Sequence, residues 1–487
     1  MTNFQPTPFP YQVCGILAAV NDGHTLIADE PGLGKTTQAL AAARLTKNVR
    51  RILIVCPPVL TTNWGKETRR SNNAETINGE IATITPNTKQ RGNRRLVDLP
   101  EIGYVIVSDS LLANRPRLQR QLAQWGPDML IVDEAHRLKT PTAKRTRAVL
   151  GLAKDIKHRL ALTGTPIVST PLDLLPILQL LGKLHHFADN PRAFIDRYTV
   201  ENFWGHRVAN TYRLDELHDL LERHVWSRRT KLGVLTDLPP KLRATHWVTP
   251  DPATLAAANR DLNDKITAFT TSHPDPTLEE RNAFVGDAMP FVAQLRRATG
   301  LAKVPAATDW ITTHLDGTDG EPLIVWTIHK DVAEQLRARL EAERPQAVVR
   351  VINGSTPQVE RAATVDAFQD GGVDVLVAQI VAAGVGLTLT RSTTVLFVET
   401  DWTPANVVQA EDRIHRISQT RPVTITTLIA TGTLDGRIHD TLTRNIRVLD
   451  ALTPGSDHHV TEGAPGAVTA SALIHDLINK HLQEQHS

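Results

Sequence analysis

Cysteine is almost missing from this chain: Cys14 and Cys56 are the only two in 487 residues. Two thiols make neither a disulfide framework nor a cysteine metal site, so a reducing compartment is expected. Long apolar runs are missing as well. No stretch approaches the roughly 18 apolar residues of a membrane span, and Met1 to Pro10 lacks the charged-then-apolar pattern of a secretory signal. A soluble, cytoplasmic protein without membrane contact is expected. Excess charge of one sign is absent too: the formal net charge is +2, so no overall field announces a polyanion and any nucleic-acid track must be local. No Cys/His cluster or basic block is appended to the chain. What is present, 41% hydrophobic and 22% charged residues, describes an ordinary globular protein long enough for two to four domains.

The most informative stretch is Asp29-Glu30-Pro31-Gly32-Leu33-Gly34-Lys35-Thr36-Thr37, between an apolar run (His24 to Ala28) and a helix-prone one (Lys35 to Leu45). A strand, a glycine-containing loop and a helix form the context of a phosphate loop. The glycines let backbone N–H groups turn inward on a phosphate, and the helix adds its positive end. Lys35 can reach the β- and γ-phosphates of ATP, and the Thr36 hydroxyl can sit on Mg²⁺. Asp29 occupies the place where the usual pattern has its first glycine. Taken alone, the stretch also fits a glycine-capped turn.

Strands and helices then alternate. Apolar runs at Arg51–Cys56, Tyr104–Ser108, Met129–Val132 and Arg159–Leu162 are spaced by helical stretches such as Leu60–Arg70. This predicts an α/β fold with a parallel sheet covered on both faces and its functional residues at the strand C-terminal ends. Two motifs fall there. Asp133 and Glu134 leave one strand, the first suited to Mg²⁺ and the second to orienting an attacking water; a plain helix cap is the alternative. His136 could hydrogen-bond toward Thr163 or Thr165 at the end of the next strand. Upstream, Gln12 has the donor and acceptor that suit an adenine edge, although a polar helix residue would look the same.

Pro191 to Tyr212 reads as irregular. Leu214–Val225 reads as an amphipathic helix, followed by Arg228-Arg229-Thr230-Lys231, which could meet phosphates or be a solvated charge run. Leu238-Pro239-Pro240-Lys241 cannot continue a helix, and residues 251–302 are again helical. Alternation resumes from Pro322, with strands over 322–327, 348–352, 373–378 and 394–398, helices over 330–343 and 358–369, and a turn from Gly384 to Thr390. This second half carries no phosphate loop. It does carry Gln409-Ala410-Glu411-Asp412-Arg413-Ile414-His415-Arg416, read as helical, with Arg413 and Arg416 three apart on one face. Two such guanidiniums can serve a γ-phosphate as an arginine finger; surface ion pairs with Glu411 or Asp412 are the alternative. An amphipathic helix, 472–483, follows Pro454-Gly455; docking on the second lobe is its expected role, and an interaction helix is the alternative.

Gln12, the Gly32–Thr36 loop, Asp-Glu-Ala-His at 133–136 and Thr-Gly-Thr-Pro at 163–166 resemble helicase superfamily two, and the wording Asp-Glu-x-Gly-Leu-Gly-Lys-Thr narrows this to the Swi/Snf-type, DEAH-box DNA translocases. That family commonly has Asp at the position of Asp29. Pro31 and Ser418 depart from its usual Met and Gly. The Leu-Pro-Pro-Lys stretch, Trp402-Thr403-Pro404-Ala405 and Thr433-Leu434-Asp435 are similar to further family positions, so the resemblance runs over roughly residues 5 to 445.

It implies two RecA-like parallel-sheet lobes, over 1–185 and 303–450, with a helical insertion over 186–302 and a tail over 451–487. It implies ATP and Mg²⁺ as cofactors, bound through Gln12, Asp29, Gly32, Leu33, Gly34, Lys35, Thr36, Thr37 and Asp133. Catalysis would rest on Lys35, Glu134, Arg413 and Arg416, and coupling on His136, Thr163, Thr165 and Gln409. The expected activity is ATP-driven tracking along double-stranded or branched DNA without sequence preference, as a monomeric motor that remodels protein–DNA complexes or anneals strands, with Arg228, Arg229 and Lys231 as candidate DNA contacts. A strand-separating DNA or RNA helicase, a nucleotide-dependent DNA clamp, and a motor subunit working with a nuclease or methylase remain open readings, as does a protein partner.

Overall fold

A computed structural model describes residues 7–71, 79–86, 88, 98–167, 170–201, 207–235, 237–383, 387, 389–416, 419–440, 442 and 470–485. Ser418, Pro454-Gly455 and part of the Gly384–Thr390 turn lie outside these. The described residues fall into two compact units, one holding residues up to 200 together with 209–236, the other holding 201–208, 237–448 and the last helix.

The first unit is built on β1 (His24–Ile27), β2 (Arg51–Cys56), β3 (Glu80–Ile84), β4 (Gly103–Ser108), β5 (Met129–Asp133) and β6 (His158–Leu162). After two short strands, β7 (Thr199–Glu201) and β8 (Arg207–Ala209), which make a small sheet of their own, β9 (Trp226–Ser227) completes a seven-stranded sheet in the order β3-β4-β2-β5-β6-β1-β9. All its pairings are parallel. The central runs are continuously apolar because helices cover both faces; every residue of β4 is buried.

The second sheet contains β10 (Lys241–Val248), β11 (Leu323–Thr327), β12 (Val349–Ile352), β13 (Val375–Gln379), β14 (Thr394–Phe397) and β15 (Val423–Ala430), in the order β10-β15-β14-β11-β13-β12. It too is parallel throughout. Because side chains alternate across a strand, β11 feeds two cores. Leu323 and Val325 pack with Ile311, Leu336 and Leu340, whereas Ile324 and Trp326 pack with Phe368, Phe397 and Ile414. The α/β fold with two parallel sheets is therefore present.

Three local features differ from the sequence reading or extend it. Pro191–Tyr198, expected to be irregular, is a helix: the Asn190 side chain accepts the Ala193 N–H at 3.0 Å, proline opens the first turn, and Phe194 and Tyr198 bury one face. The helix containing Gln409 is Pro404–Glu411, and Arg413 and Arg416 lie in the turn after it rather than within it. The last helix, Ala470–Gln485, sets Ile474, Ile478 and Leu482 against Leu262, Ile266, Phe284 and Val285 of the helices Pro252–Ser272 and Leu278–Ala302.

Candidate nucleotide site

Parallel order alone brings three motifs together in the first unit. β6 lies between β5 and β1, with Asp133 opposite Leu162 and Leu162 opposite Ile27. The residues leaving these strands, 133–136, 163–166 and 28–35, therefore meet at one sheet edge, where α/β proteins bind ligands.

Within the loop, Gly32 has φ 92° and Gly34 φ 77°, left-handed values that glycine adopts at little cost. Gly34 also opens the helix Lys35–Leu45, to which it offers no capping side chain, and a Cβ there would collide with Gln12 Nε2. Lys35 Nζ folds over the loop, donating to the Asp29 and Glu30 carbonyls at 2.7 and 3.2 Å. Thr36 and Thr37 follow, half-buried, in the first helical turn. Gln12 accepts from Phe9 N–H at 2.9 Å and donates to the Leu33 carbonyl at 3.0 Å, so it reaches the loop itself. Gly164 packs on the Pro31 ring, which brings the Thr-Gly-Thr-Pro turn against the loop.

The carboxylate pair is held asymmetrically. Asp133 is half-buried and takes two donors: Trp64 Nε1 donates to Oδ2 at 2.8 Å and Glu134 N–H to Oδ1 at 2.9 Å. Burial, and after it the charge of Glu134, push the Asp133 carboxyl up to about 6. Glu134 has φ 50°, one of three non-glycine residues with positive φ among those described, and the other two are Asn48 and Asp319. Asn and Asp tolerate this region; Glu in it is strained by about 1–2 kcal/mol, and such outliers gather at chemical sites. Glu134 Oε2 stands 3.3 Å from His136 Nδ1, which is 2.9 Å from Thr163 Oγ1, and that hydroxyl accepts the Thr165 N–H at 3.1 Å. A polar chain thus runs from the acid to the neighbouring turn. The Asp133 carboxylate and the Thr36 hydroxyl are hard oxygen donors beside a loop shaped for phosphate, a set that fits Mg²⁺.

Arg228, Arg229 and Lys231 sit elsewhere than on an open surface. β9 extends the sheet beside β1, and the following residues continue along the loop, with Glu30 N–H donating to the Arg229 carbonyl at 3.0 Å. Arg229 Nη1 meets Asp29 Oδ1 at 3.3 Å, and Gln38 Nε2 meets Oδ2 at 2.7 Å. Arg228 donates to the Ala28 carbonyl at 2.9 Å, and Lys231 N–H to Glu30 Oε2 at 2.7 Å. The Arg228 side chain is covered and Lys231 is buried. These groups brace the acidic start of the phosphate loop. Burial raises the Asp29 carboxyl, opposed chiefly by Gln38 and then by Arg229.

In the second unit, Gln409, Arg413 and Arg416 gather around the end of the helix Pro404–Glu411. Gln409 is buried. Arg413 Nη1 reaches the Leu387 carbonyl at 3.3 Å, and Arg416 Nε the Asp412 carbonyl at 3.0 Å. Burial draws the Arg416 guanidinium below its usual range, with Asp412 opposing. The Glu411 and Asp412 carboxylates turn to Lys241 and Arg243 of β10. The sequence reading missed Trp64, Gln38, Lys241 and Arg243 as parts of these sites; the sole sequence-level hint is that Lys241 closes the Leu-Pro-Pro-Lys stretch.

Comparison with known proteins gives the family of the chain. The chain matches the SNF2-related domain over residues 17–286 and the helicase conserved C-terminal domain over 306–418. It is similar to a Bos taurus protein described as DNA annealing helicase and endonuclease ZRANB3, 32% identical over 457 residues that cover 92% of this chain and 40% of that protein. A Xenopus laevis SWI/SNF-related matrix-associated actin-dependent regulator of chromatin subfamily A-like protein 1 is 30% identical over 98% of this chain and 48% of its own length. The chain thus spans less than half of either relative. A solved structure described as the Sulfolobus solfataricus SWI2/SNF2 ATPase core in complex with dsDNA aligns with TM-score 0.44 and 22% identity, over 99% of this chain and 97% of that one. No described helix is long and apolar enough to cross a membrane. With more than half of its length matched by the SNF2-related domain, the chain belongs to that family.

Proposed function

We propose that the chain is an ATP-hydrolysing motor that tracks along duplex DNA. The observation that carries this reading is the meeting of the Lys35 loop, the Asp133–Glu134 pair and the His136–Thr163 link at the ends of β1, β5 and β6. ATP would place its phosphates on the backbone N–H groups around Gly32–Thr36, with Lys35 moving from the Asp29 and Glu30 carbonyls to the β- and γ-oxygens. Gln12, beside the loop, suits the adenine edge. Mg²⁺ bound by Thr36, and by Asp133 directly or through water, would neutralise charge on the phosphates. Glu134 would orient the attacking water and accept its proton. His136 and Thr163 would carry the state of that carboxylate to Thr165 and the Gly164 turn, and Arg413 and Arg416 would stabilise the charge that develops on the phosphoryl group.

DNA as the track is supported by the family and by the description of the Bos taurus relative; we take the track to be duplex DNA, gripped through its phosphates and so without sequence preference. Annealing of complementary strands is the second reading, favoured by the description of the Bos taurus relative.

The test pairs binding with turnover. Glu134→Gln should bind a fluorescent ATP analogue about as tightly as wild type while hydrolysis falls about 10²–10⁴-fold, and Lys35→Ala should lose both. Hydrolysis retained by Glu134→Gln would remove Glu134 from the role of water-activating residue.

A further inference from the structure

Two adjacent carboxylates, Glu411 and Asp412, close the helix Pro404–Glu411, and both are buried. A helix C-terminus is a poor place for negative charge, and burial makes it poorer. The compensation comes from the start of β10, 170 positions upstream. Lys241 Nζ lies 2.9 Å from Asp412 Oδ1 and 3.3 Å from Glu411 Oε2. Arg243 closes a fork on Glu411, with Nη2 2.7 Å from Oε2 and Nε 3.2 Å from Oε1. The Lys241, Glu411 and Asp412 side chains are 4%, 7% and 3% exposed, so water screens little of this attraction. Burial alone would weaken the Lys241 ammonium, yet Asp412 and Glu411 hold it above its usual range.

The segment just before this strand also holds the turn, its main chain meeting a side chain. The Pro239 carbonyl lies 2.7 Å from His415 Nε2, and eight register pairs between β10 and β15 fix where Lys241 stands. From this clamped turn Asp412 offers its carbonyl to Arg416 Nε at 3.0 Å. One residue thus works with its carboxylate on Lys241 and its carbonyl on a candidate catalytic arginine.

We infer that Lys241 is a positioning residue for ATP hydrolysis: by holding Asp412 and Glu411 it sets the 411–416 turn, and through Asp412 the Arg416 guanidinium. The inference rests on the proposed role of Arg416. A tie that only stabilised the fold would lower the amount of working protein; a tie that aims Arg416 must lower turnover per working site, and must stop mattering once Arg416 is gone.

The experiment is a double-mutant cycle on the full chain with saturating duplex DNA, each rate divided by the sites that bind a fluorescent ATP analogue. Lys241→Met is expected to lower kcat per site by about tenfold or more with the KM for ATP within about twofold, since arginine fingers act on the transition state. Lys241→Arg, which keeps the charge, should recover most of the loss. Against Arg416→Ala, Lys241→Met should cost no more than about twofold. If Lys241→Met does not accumulate as folded protein, Asp412→Asn takes its place in the cycle, with an expected loss of about threefold or more that vanishes beside Arg416→Ala. An unchanged kcat per site, or losses that multiply in the double variant, would overturn the positioning role. A wild-type kcat in Arg416→Ala by itself would instead overturn the reading of Arg416 as the phosphoryl-stabilising group, without reference to Lys241.

Discussion

Replacing Trp64 by Phe takes one hydrogen bond from a half-buried carboxylate. The indole Nε1 donates to Asp133 Oδ2 at 2.8 Å, and Trp64 is only 1% exposed. A hydrogen bond to a charged acceptor contributes roughly 1.5–3 kcal/mol, and about 1.4 kcal/mol corresponds to one pH unit, so its loss should raise the Asp133 carboxyl by about one to two pH units. The sign follows from the donor: the N–H favours the ionised form, so removing it makes protonation easier. Burial and Glu134 already hold this carboxyl up to about 6. The acid limb of kcat/KM for ATP, which reports the free enzyme, is therefore expected near about pH 6 in wild type and about pH 7–8 in Trp64→Phe. Activity at pH 7 would fall and return toward wild type in alkaline buffer. The smaller ring also leaves a gap costing roughly 1–3 kcal/mol of stability, which changes the folded fraction but not the position of the limb. The assay is DNA-stimulated phosphate release from pH 5.5 to 9 at constant ionic strength. Coincident acid limbs for the two proteins would refute the reasoning.

Three further outcomes are expected. Arg229→Ala takes the guanidinium from the buried Asp29 carboxylate, leaving the Gln38 bond, and should weaken nucleotide binding by about tenfold, while duplex-DNA affinity without nucleotide stays within about twofold; competition binding with each ligand checks it. Asn190→Ala removes the cap of the helix Pro191–Tyr198 and should cost about 1 kcal/mol in urea unfolding of the first unit's transition. Ile478→Ala opens a hole between the last helix and the pair 252–272 and 278–302, costing about 2–5 kcal/mol locally; hydrogen exchange should quicken in those three helices and not in the seven-stranded sheet.

The central strands were legible in the sequence because strands buried on both faces read as unbroken apolar runs, as at Arg51–Cys56 and Leu323–Thr327. β3, β9 and β10 were not, nor was β15, an internal strand whose apolar run is interrupted by Thr424, Thr426 and Thr427. β9 has two residues, β3 lies at a sheet edge, and β10, also at an edge, is exposed from Leu242 to Trp247 and interrupted by Lys241, Arg243 and His246. Such strands are fixed by their neighbours more than by their own pattern.

The site divides along the same line. Asp133, Glu134 and Lys35 stand in short motifs whose chemistry is local. The ties of Trp64 to Asp133 and of Arg229 to Asp29 join positions 69 and 200 apart, and only the order of the strands brings them together. The helical reading of Arg413 and Arg416 failed for a comparable reason. No Gly or Pro breaks the chain after Glu411; the helix ends where Glu411 and Asp412 are drawn to β10 and His415 to Pro239.

The most direct test of a motor on duplex DNA is phosphate release by the full chain with and without double-stranded DNA, with single strands and RNA in parallel. Strong stimulation by duplex DNA, weak stimulation by the others and loss of both in Lys35→Ala is the predicted result. Stimulation by single strands or RNA alone, or hydrolysis indifferent to nucleic acid, would contradict it.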